Sequence, residues 1–295
     1  MHKLLDGGTF FEGPRWHAGA WWVSDFYSHR VLRIATDGKS EVVAEVSNQP
    51  SGLGFLADGT LLVVSMKDRR VLRQRADGQL TTHADLTAVT GGSTNDMVVD
   101  NHGRAYVGNF GFDIFGGAAP AATTLARVDP NGAVSIVAAD LWCPNGTVIT
   151  ADGKTLIVAE SFAARLTAFS IDSDGGLSDR RVWAALGRTP KFDSLATIRE
   201  TEFAPDGCAI DADDHVWVAD AFNGRACRVA PGGKIVDEVR APNGWGLYAC
   251  ALGGANGRSL LLCVAPDFDD VKRNATPEAA LYVHEVTVPR GAGLP

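Results

Sequence analysis

Four oxygen-bearing side chains stand at matching places along the chain, each just ahead of a run of strand-forming residues. Glu12 lies in Phe11-Glu12-Gly13-Pro14-Arg15-Trp16 and Asn95 in Ser93-Thr94-Asn95-Asp96-Met97. Asn145 lies in Pro144-Asn145-Gly146 and Asp206 in Pro205-Asp206-Gly207. Taken singly, Pro-Asn-Gly and Pro-Asp-Gly are ordinary turn formers. Glu-Gly-Pro is harder to dismiss, because glutamate has no special turn role. As a set they are hard oxygen donors, with no histidine or thiolate among them. That favours Ca²⁺, Mg²⁺ or Mn²⁺ over copper or structural zinc. A cation so held keeps positions open for water and for a carbonyl oxygen, and a nearby carboxylate can take a proton from the attacking water. The residue types therefore suit hydrolysis of an ester.

Local catalytic signatures point nowhere else. The chain has no Gly-x-Ser-x-Gly elbow, no His-Glu-x-x-His and no Walker loop. Its seven histidines lack ligand spacing, and His102 and His215 fall in hairpin turns where a solvated side chain is expected. Five cysteines, an odd number without Cys-x-x-Cys, predict buried reduced thiols rather than a disulfide framework or a zinc knuckle.

The elements that must position the four residues recur along the chain. An Asp-Gly or Asn-Gly turn is followed by a strand of apolar or alternating β-formers, a polar break and a second strand, as in Asp58-Gly59 through Val64 and then Arg70 to Arg73. Such turns predict two-residue hairpins, whose central residues need positive φ. Counting the first strand of each unit gives starts near Trp21, Leu61, Arg104, Leu156, Val216 and Leu260. Six units at roughly 40- to 60-residue spacing predict an all-β, six-bladed β-propeller, in which the four oxygen donors would meet as a metal site in the central channel. The whole of residues 1–295 is read as a single domain, with the segment around Lys3 to Thr9 completing the last blade. Two insertions, 111–124 and 186–203, are candidate lids, and only the second carries a plausible short helix. With 45% hydrophobic residues and a net charge of −8, disorder and a nucleic-acid partner are excluded. No apolar run reaches membrane-span length and Asp6 breaks any leader-like start, so a cytoplasmic protein without a membrane partner is expected.

These motifs together resemble the family of senescence marker protein (regucalcin), gluconolactonase and luciferin-regenerating enzyme. The motifs are Glu-Gly-Pro-x-Trp, the Asn95-Asp96 pair, Asn145-Gly146 ahead of an Asp-Gly hairpin, and Pro205-Asp206-Gly207 followed by Val216-Trp217-Val218-Ala219. The resemblance runs from Glu12 to the strand around Leu260. It implies a propeller binding one divalent metal, with Glu12, Asn145 and Asp206 matching the ligands. Asn95 matches a residue that contacts substrate or completes the metal shell, and Asp206 matches the general base. Ca²⁺ is the first choice of ion, with Mg²⁺, Mn²⁺ and Zn²⁺ as further candidates. The implied activity is opening of a lactone, and the implied partner is a small lactone or ester, met by a monomer or small homo-oligomer.

The chain also departs from the family. Sugar-lactonase members often carry arginine two residues before the Asn of the Asn-Asp pair, where this chain has Ser93. Loss of that multi-donor cation argues against a polyhydroxylated substrate. Aromatic residues fill the nearby loops: Phe110, Phe112 and Phe115, then Trp142, Phe162, Phe192 and Trp245. Ser93, Asn95, Phe112, Trp142 and Phe192 are the predicted substrate contacts, and the expected lactone is less polar than gluconolactone. Asp96 is expected to orient Asn95 or a ligand water from behind, and Glu160 to play a hydrogen-bonded structural part. Two rivals stand beside the lactonase reading: a phosphotriester (organophosphate) hydrolase on the same site, and a non-enzymatic calcium-binding or scaffold propeller.

Overall fold

The computed structural model describes residues 1–114 and 116–291. Six antiparallel four-stranded sheets succeed one another along the chain, the architecture of a six-bladed β-propeller. Blades 1 to 5 use consecutive strands within residues 11–45, 50–85, 94–141, 144–185 and 205–240. Blade 6 takes Gly246–Gly253, Ser259–Ala265 and Ala279–Glu285, then borrows His2–Gly8 as its outermost strand. The N-terminal segment thus pairs with the last blade and closes the ring.

The strands counted in the sequence are the second of each blade, not the first. Nearer the axis lie Phe11–His17, Pro50–Phe55, Thr94–Val99, Pro144–Ile149, Pro205–Ile210 and Gly246–Gly253. Most of these inner strands carry glycine or proline where a strand normally alternates β-branched residues, so they do not read as strands. The reason is crowding at the axis. A Cβ on Gly52 would meet Met97 N at 2.5 Å, and one on Gly146 would meet Asp206 O at 2.3 Å. The second strands are buried on both faces, and side chains such as Val63, Val107 and Val218 exclude solvent completely. Each such burial stabilises the fold by about 1.5–3 kcal/mol.

The Asp-Gly turns also differ from the two-residue hairpins predicted. In the loop after Ala35, Gly38 N bonds Ala35 O and Ala35 N bonds Lys39 O, while only Gly38 has positive φ (85°). The aspartate instead caps the turn, with Asp37 Oδ1 accepting from Lys39 N at 3.1 Å. This is the three-residue loop that ends in a left-handed glycine. His102 lies in such a turn, and His215 closes one in which the left-handed residue is Asp214 (φ 56°) in place of glycine.

A second recurring device anchors the inner strands. The last residue of the second strand is Asp25 in blade 1, Glu160 in blade 4 and Asp220 in blade 5. Asp25 accepts from Phe10 N (3.1 Å), Glu160 from Trp142 N (2.9 Å) and Asp220 from Ala204 N (3.1 Å). Each donor lies two or three residues before a predicted metal ligand. An arginine five residues on faces each carboxylate: Arg30, Arg165 and Arg225, at 3.5, 2.8 and 2.9 Å. Glu160, fully buried, also accepts from Thr167 Oγ1, so its role is the hydrogen-bonded one expected.

Three loops rise over the inner-strand starts. Two fall within the predicted insertions, and the second holds the helix Leu195–Arg199, whose first turn is capped by Ser194. The third, residues 266–278 in blade 6, holds the helix Asp270–Ala275, so the 186–203 insertion is not the only helical stretch. Its polar, Pro-flanked sequence is too short to show helical periodicity.

Candidate active site

Register brings the predicted residues together. Each inner strand carries one extra residue opposite its neighbour, a bulge just inside its start. The residue before the bulge is Glu12, Ser51, Asn95, Asn145, Asp206 and Leu247 in blades 1 to 6. The next is glycine in blades 1, 2, 4 and 5, Asp96 in blade 3 and Tyr248 in blade 6. Glu12, Asn95, Asn145 and Asp206 line one cavity of about 190 Å³. Ser51 stands beside them and donates to Asn95 Oδ1 at 3.4 Å. Its Pro-Ser-Gly setting matches Pro-Asn-Gly and Pro-Asp-Gly, a signal by which the second blade could have been found.

Neither Glu12 nor Asp206 makes an ion pair among the described residues. Burial, reinforced by the charge of Asp206, pushes the Glu12 carboxyl well above the usual carboxylate range. Burial and the charge of Asp96 push Asp206 up to about 8, against the pull of the Asn145 amide and the Gly207 N–H. Asp206 Oδ1 and Asn95 Nδ2 are buried atoms without a hydrogen-bond partner. Asn145 Nδ2 donates to Ser161 Oγ at 3.2 Å, and Ser161 Oγ donates to Pro205 O at 2.7 Å. That chain fixes the Asn145 amide. A divalent cation fits this donor set: it would neutralise two unpaired carboxylates and satisfy an orphaned oxygen.

Asp96 is placed differently from its neighbours. Its Oδ1 accepts from Arg15 Nη2 at 2.7 Å and from Met97 N at 2.8 Å. Arg15 also donates to the Met97 carbonyl, so blades 1 and 3 are tied across the channel. Burial raises the Asp96 carboxyl despite the guanidinium beside it. Far from the channel, Asp211, Asp213 and His215 lie close enough to share an ion, but Arg228 already pairs with both carboxylates, at 2.6 and 2.9 Å.

Of the predicted substrate contacts, Asn95 lines the cavity; Ser93, Phe112, Trp142 and Phe192 stand outside its lining. Ser93 accepts from Phe110 N at 3.0 Å through its carbonyl. Trp142 stacks on Phe192 at 3.5 Å, and Phe112 packs on Phe162 at 5.9 Å. With Cys143, Phe162 and Ile198, which line the cavity, Phe112, Trp142 and Phe192 form an apolar cluster that backs one side of the wall. Phe110 and Phe162 are in the wall itself, whereas Trp245 packs between blades 5 and 6. Phe115 lies outside the described residues.

Two register rules recover wall residues that the motifs did not announce. The residue two before the ligand position lines the cavity in four blades: Phe10, Gln49, Cys143 and Ala204. So does the residue following the second strand: Phe26, Met66, Phe110, Ser161 and Ala221. The rim adds Tyr27, Phe222 and Phe268, with Phe222 and Phe268 about half exposed. Arg199, on the helix of the second insertion, is the only cationic residue in the lining among the described residues. The floor is therefore polar and the wall overwhelmingly apolar.

Residues 10–265 match the family described as the SMP-30/Gluconolactonase/LRE-like region. A pentonolactonase of Haloferax volcanii is 26% identical over 211 residues, 70% of this chain and 65% of the relative. A 6-deoxy-6-sulfogluconolactonase of Pseudomonas putida is 27% identical over 170 residues, 57% of this chain and 52% of the relative. Both matches thus span less than two thirds of the relative's length. Among solved structures, a luciferin-regenerating enzyme superposes with a TM-score of 0.78 at 19% identity, covering 99% of this chain and 96% of the other. No described helix is long and apolar enough to cross a membrane.

Proposed function

The chain belongs to the SMP-30/gluconolactonase/LRE-like family, and from that membership we propose that it is a divalent-metal-dependent lactonase acting on a lactone less polar than a sugar lactone. The observation that carries this reading is the pair of unpaired carboxylates, Glu12 and Asp206, facing one aromatic-walled cavity. The names of the two lactonase relatives support the reaction class.

In this reading Glu12, Asn145 and Asp206 hold the ion, and Ca²⁺ suits their hard oxygens best. When bound, the ion supplies Lewis-acid polarisation of the ester carbonyl. Asp206 takes a proton from the attacking water. Asn95 presents its orphaned Nδ2 to a substrate oxygen. Asp96, held by Arg15, keeps the strand of Asn95 in register. Phe112, Trp142 and Phe192 act as the packed backing of the wall, and Ser93 adds no cation to it. The apolar wall leaves few donors for sugar hydroxyls, so alkyl- or aryl-substituted γ- and δ-lactones are the preferred class.

The test is hydrolysis of γ- and δ-alkyl lactones, gluconolactone and a paraoxon-type ester by chelator-stripped protein, before and after Ca²⁺, Mg²⁺, Mn²⁺ or Zn²⁺. Activity only with metal, and higher on the alkyl lactones, is expected. Full activity without metal sinks the metal assignment. Faster turnover of the phosphotriester moves the protein to that chemistry, and no turnover of any ester leaves it a binding propeller.

A further inference from the structure

Blade 6 breaks the inner-strand pattern. Where blades 1, 3, 4 and 5 present Glu12, Asn95, Asn145 and Asp206, it buries Leu247 in the core and turns the next residue, Tyr248, into the cavity. Blade 6 lies between blades 5 and 1 in the ring, so Tyr248 stands between the two carboxylates. Its ring is held by Phe10, with centroids 4.6 Å apart, and lies edge-on to Phe268 at 6.4 Å.

The residue as a whole is 7% exposed and lines the cavity, and none of the described side-chain hydrogen bonds involves its hydroxyl. The other tyrosine hydroxyls in comparable surroundings are satisfied: Tyr27 donates to Phe268 O at 2.7 Å and Tyr106 to Gly175 O at 3.1 Å. The residue lines the cavity, so a hydroxyl without a protein acceptor is free to donate to whatever occupies that space. The hydroxyl also has space reserved for it. A Cβ on Gly246 would come within 2.3 Å of it, so this glycine lets the phenol reach its position.

We propose that the Tyr248 hydroxyl is a catalytic hydrogen-bond donor to the ring oxygen of the lactone, the oxygen that leaves as an alkoxide. This rests on the lactonase reading. With a cation held by Glu12, Asn145 and Asp206 the carbonyl oxygen would be taken up on that side, and the ester's second oxygen then needs its own donor. Water adds to the carbonyl carbon and gives its proton to Asp206. The bond from that carbon to the ring oxygen breaks, and the proton returns from Asp206 to the departing oxygen. The products are one hydroxyl and one carboxylic acid, which releases its remaining proton to solvent as the carboxylate. Tyr248 keeps its proton throughout and stabilises the negative charge that develops beside it.

The test compares wild type, Tyr248→Phe and Gly246→Ala, each saturated with Ca²⁺, on two substrates that differ in leaving group. One is a δ-alkyl lactone, which expels a poor alkoxide; the other is dihydrocoumarin, which expels a stabilised phenoxide. Tyr248→Phe should lose at least about tenfold in kcat on the alkyl lactone, much less on dihydrocoumarin, with KM nearly unchanged. Gly246→Ala, which displaces the phenol without removing it, should show the same substrate-dependent loss. Equal losses on both substrates, or an unchanged kcat, overturn the assignment while leaving the lactonase reading in place. Wild type inactive on both substrates overturns the two together.

Discussion

Two sets of carboxylates lie on adjacent strands, the anchors in blades 1, 4 and 5 and the channel pair in blades 1 and 5, and they live under opposite conditions. Asp25, Glu160 and Asp220, at the ends of second strands, are sealed from solvent, yet each has an arginine and backbone N–H groups to balance its charge. Glu12 and Asp206, one strand closer to the axis, have no such arginine, and their carboxyls are driven upward. The same fold that supplies a cation for every anchoring carboxylate withholds one from the pair facing the cavity. In the proposed reading the missing counterion is a feature of the site: a bound cation would supply the positive charge, and the anchors would hold its ligands in place in its absence.

The contrast can be broken at several points. The largest effect belongs to the channel. Asp206→Asn should lower kcat by about 10²–10⁴-fold on the best lactone while the protein stays folded by circular dichroism. An anchor should behave the other way round. Glu160→Ala strands Arg165 and frees Trp142 N, and should destabilise the protein by about 3 kcal/mol in urea unfolding, with kcat of the folded fraction largely kept. If Glu160→Ala left stability intact and abolished turnover, the division between anchors and ligands would fail.

A third test uses pH. The Asp206 carboxyl titrates near 8 in the folded metal-free protein, against 3.8 unperturbed. Between those values the folded state holds a proton that the unfolded chain has released, so stability falls as pH rises from about 4 to about 8. Melting temperatures with chelator should therefore drop across that window, and saturating Ca²⁺ should flatten the slope. Identical slopes with and without Ca²⁺ would remove the channel carboxylates from the linkage. The smallest effect concerns the rim: Phe268→Ala should raise KM for a long-chain lactone by about fivefold, the loss of roughly 1 kcal/mol of apolar contact, and leave a small unsubstituted lactone nearly unaffected.

Much of this site was legible from local sequence. Pro-Asn-Gly, Pro-Asp-Gly and Glu-Gly-Pro mark where inner strands begin, because only glycine tolerates the close approach of neighbouring strands there. The anchors left a trace too, in an acidic residue and an arginine five positions later at Asp25 and Arg30, Glu160 and Arg165, and Asp220 and Arg225. The cavity wall was harder to read. Phe112, Trp142 and Phe192 are as aromatic as Phe26, Tyr27 and Phe110, and nothing in their local sequence separates a wall residue from its backing. Tyr248 was hidden for a related reason: the Pro-Asn-Gly of blade 6, Pro242–Gly244, forms a short 3-10 turn ahead of the strand instead of opening it, and Gly246–Gly253 looks like plain apolar core.

The sequence by itself determined the sixfold repeat, the oxygen donors and the absence of a local nucleophile motif, because strand alternation, turn chemistry and ligand type are properties of short segments. Only the tertiary structure decided which strand of each blade faces the axis, which carboxylates find an arginine and which aromatic rings reach the cavity. Those outcomes depend on bulge register and on contacts between blades far apart in the chain, and a one-residue change in register reverses where a side chain points.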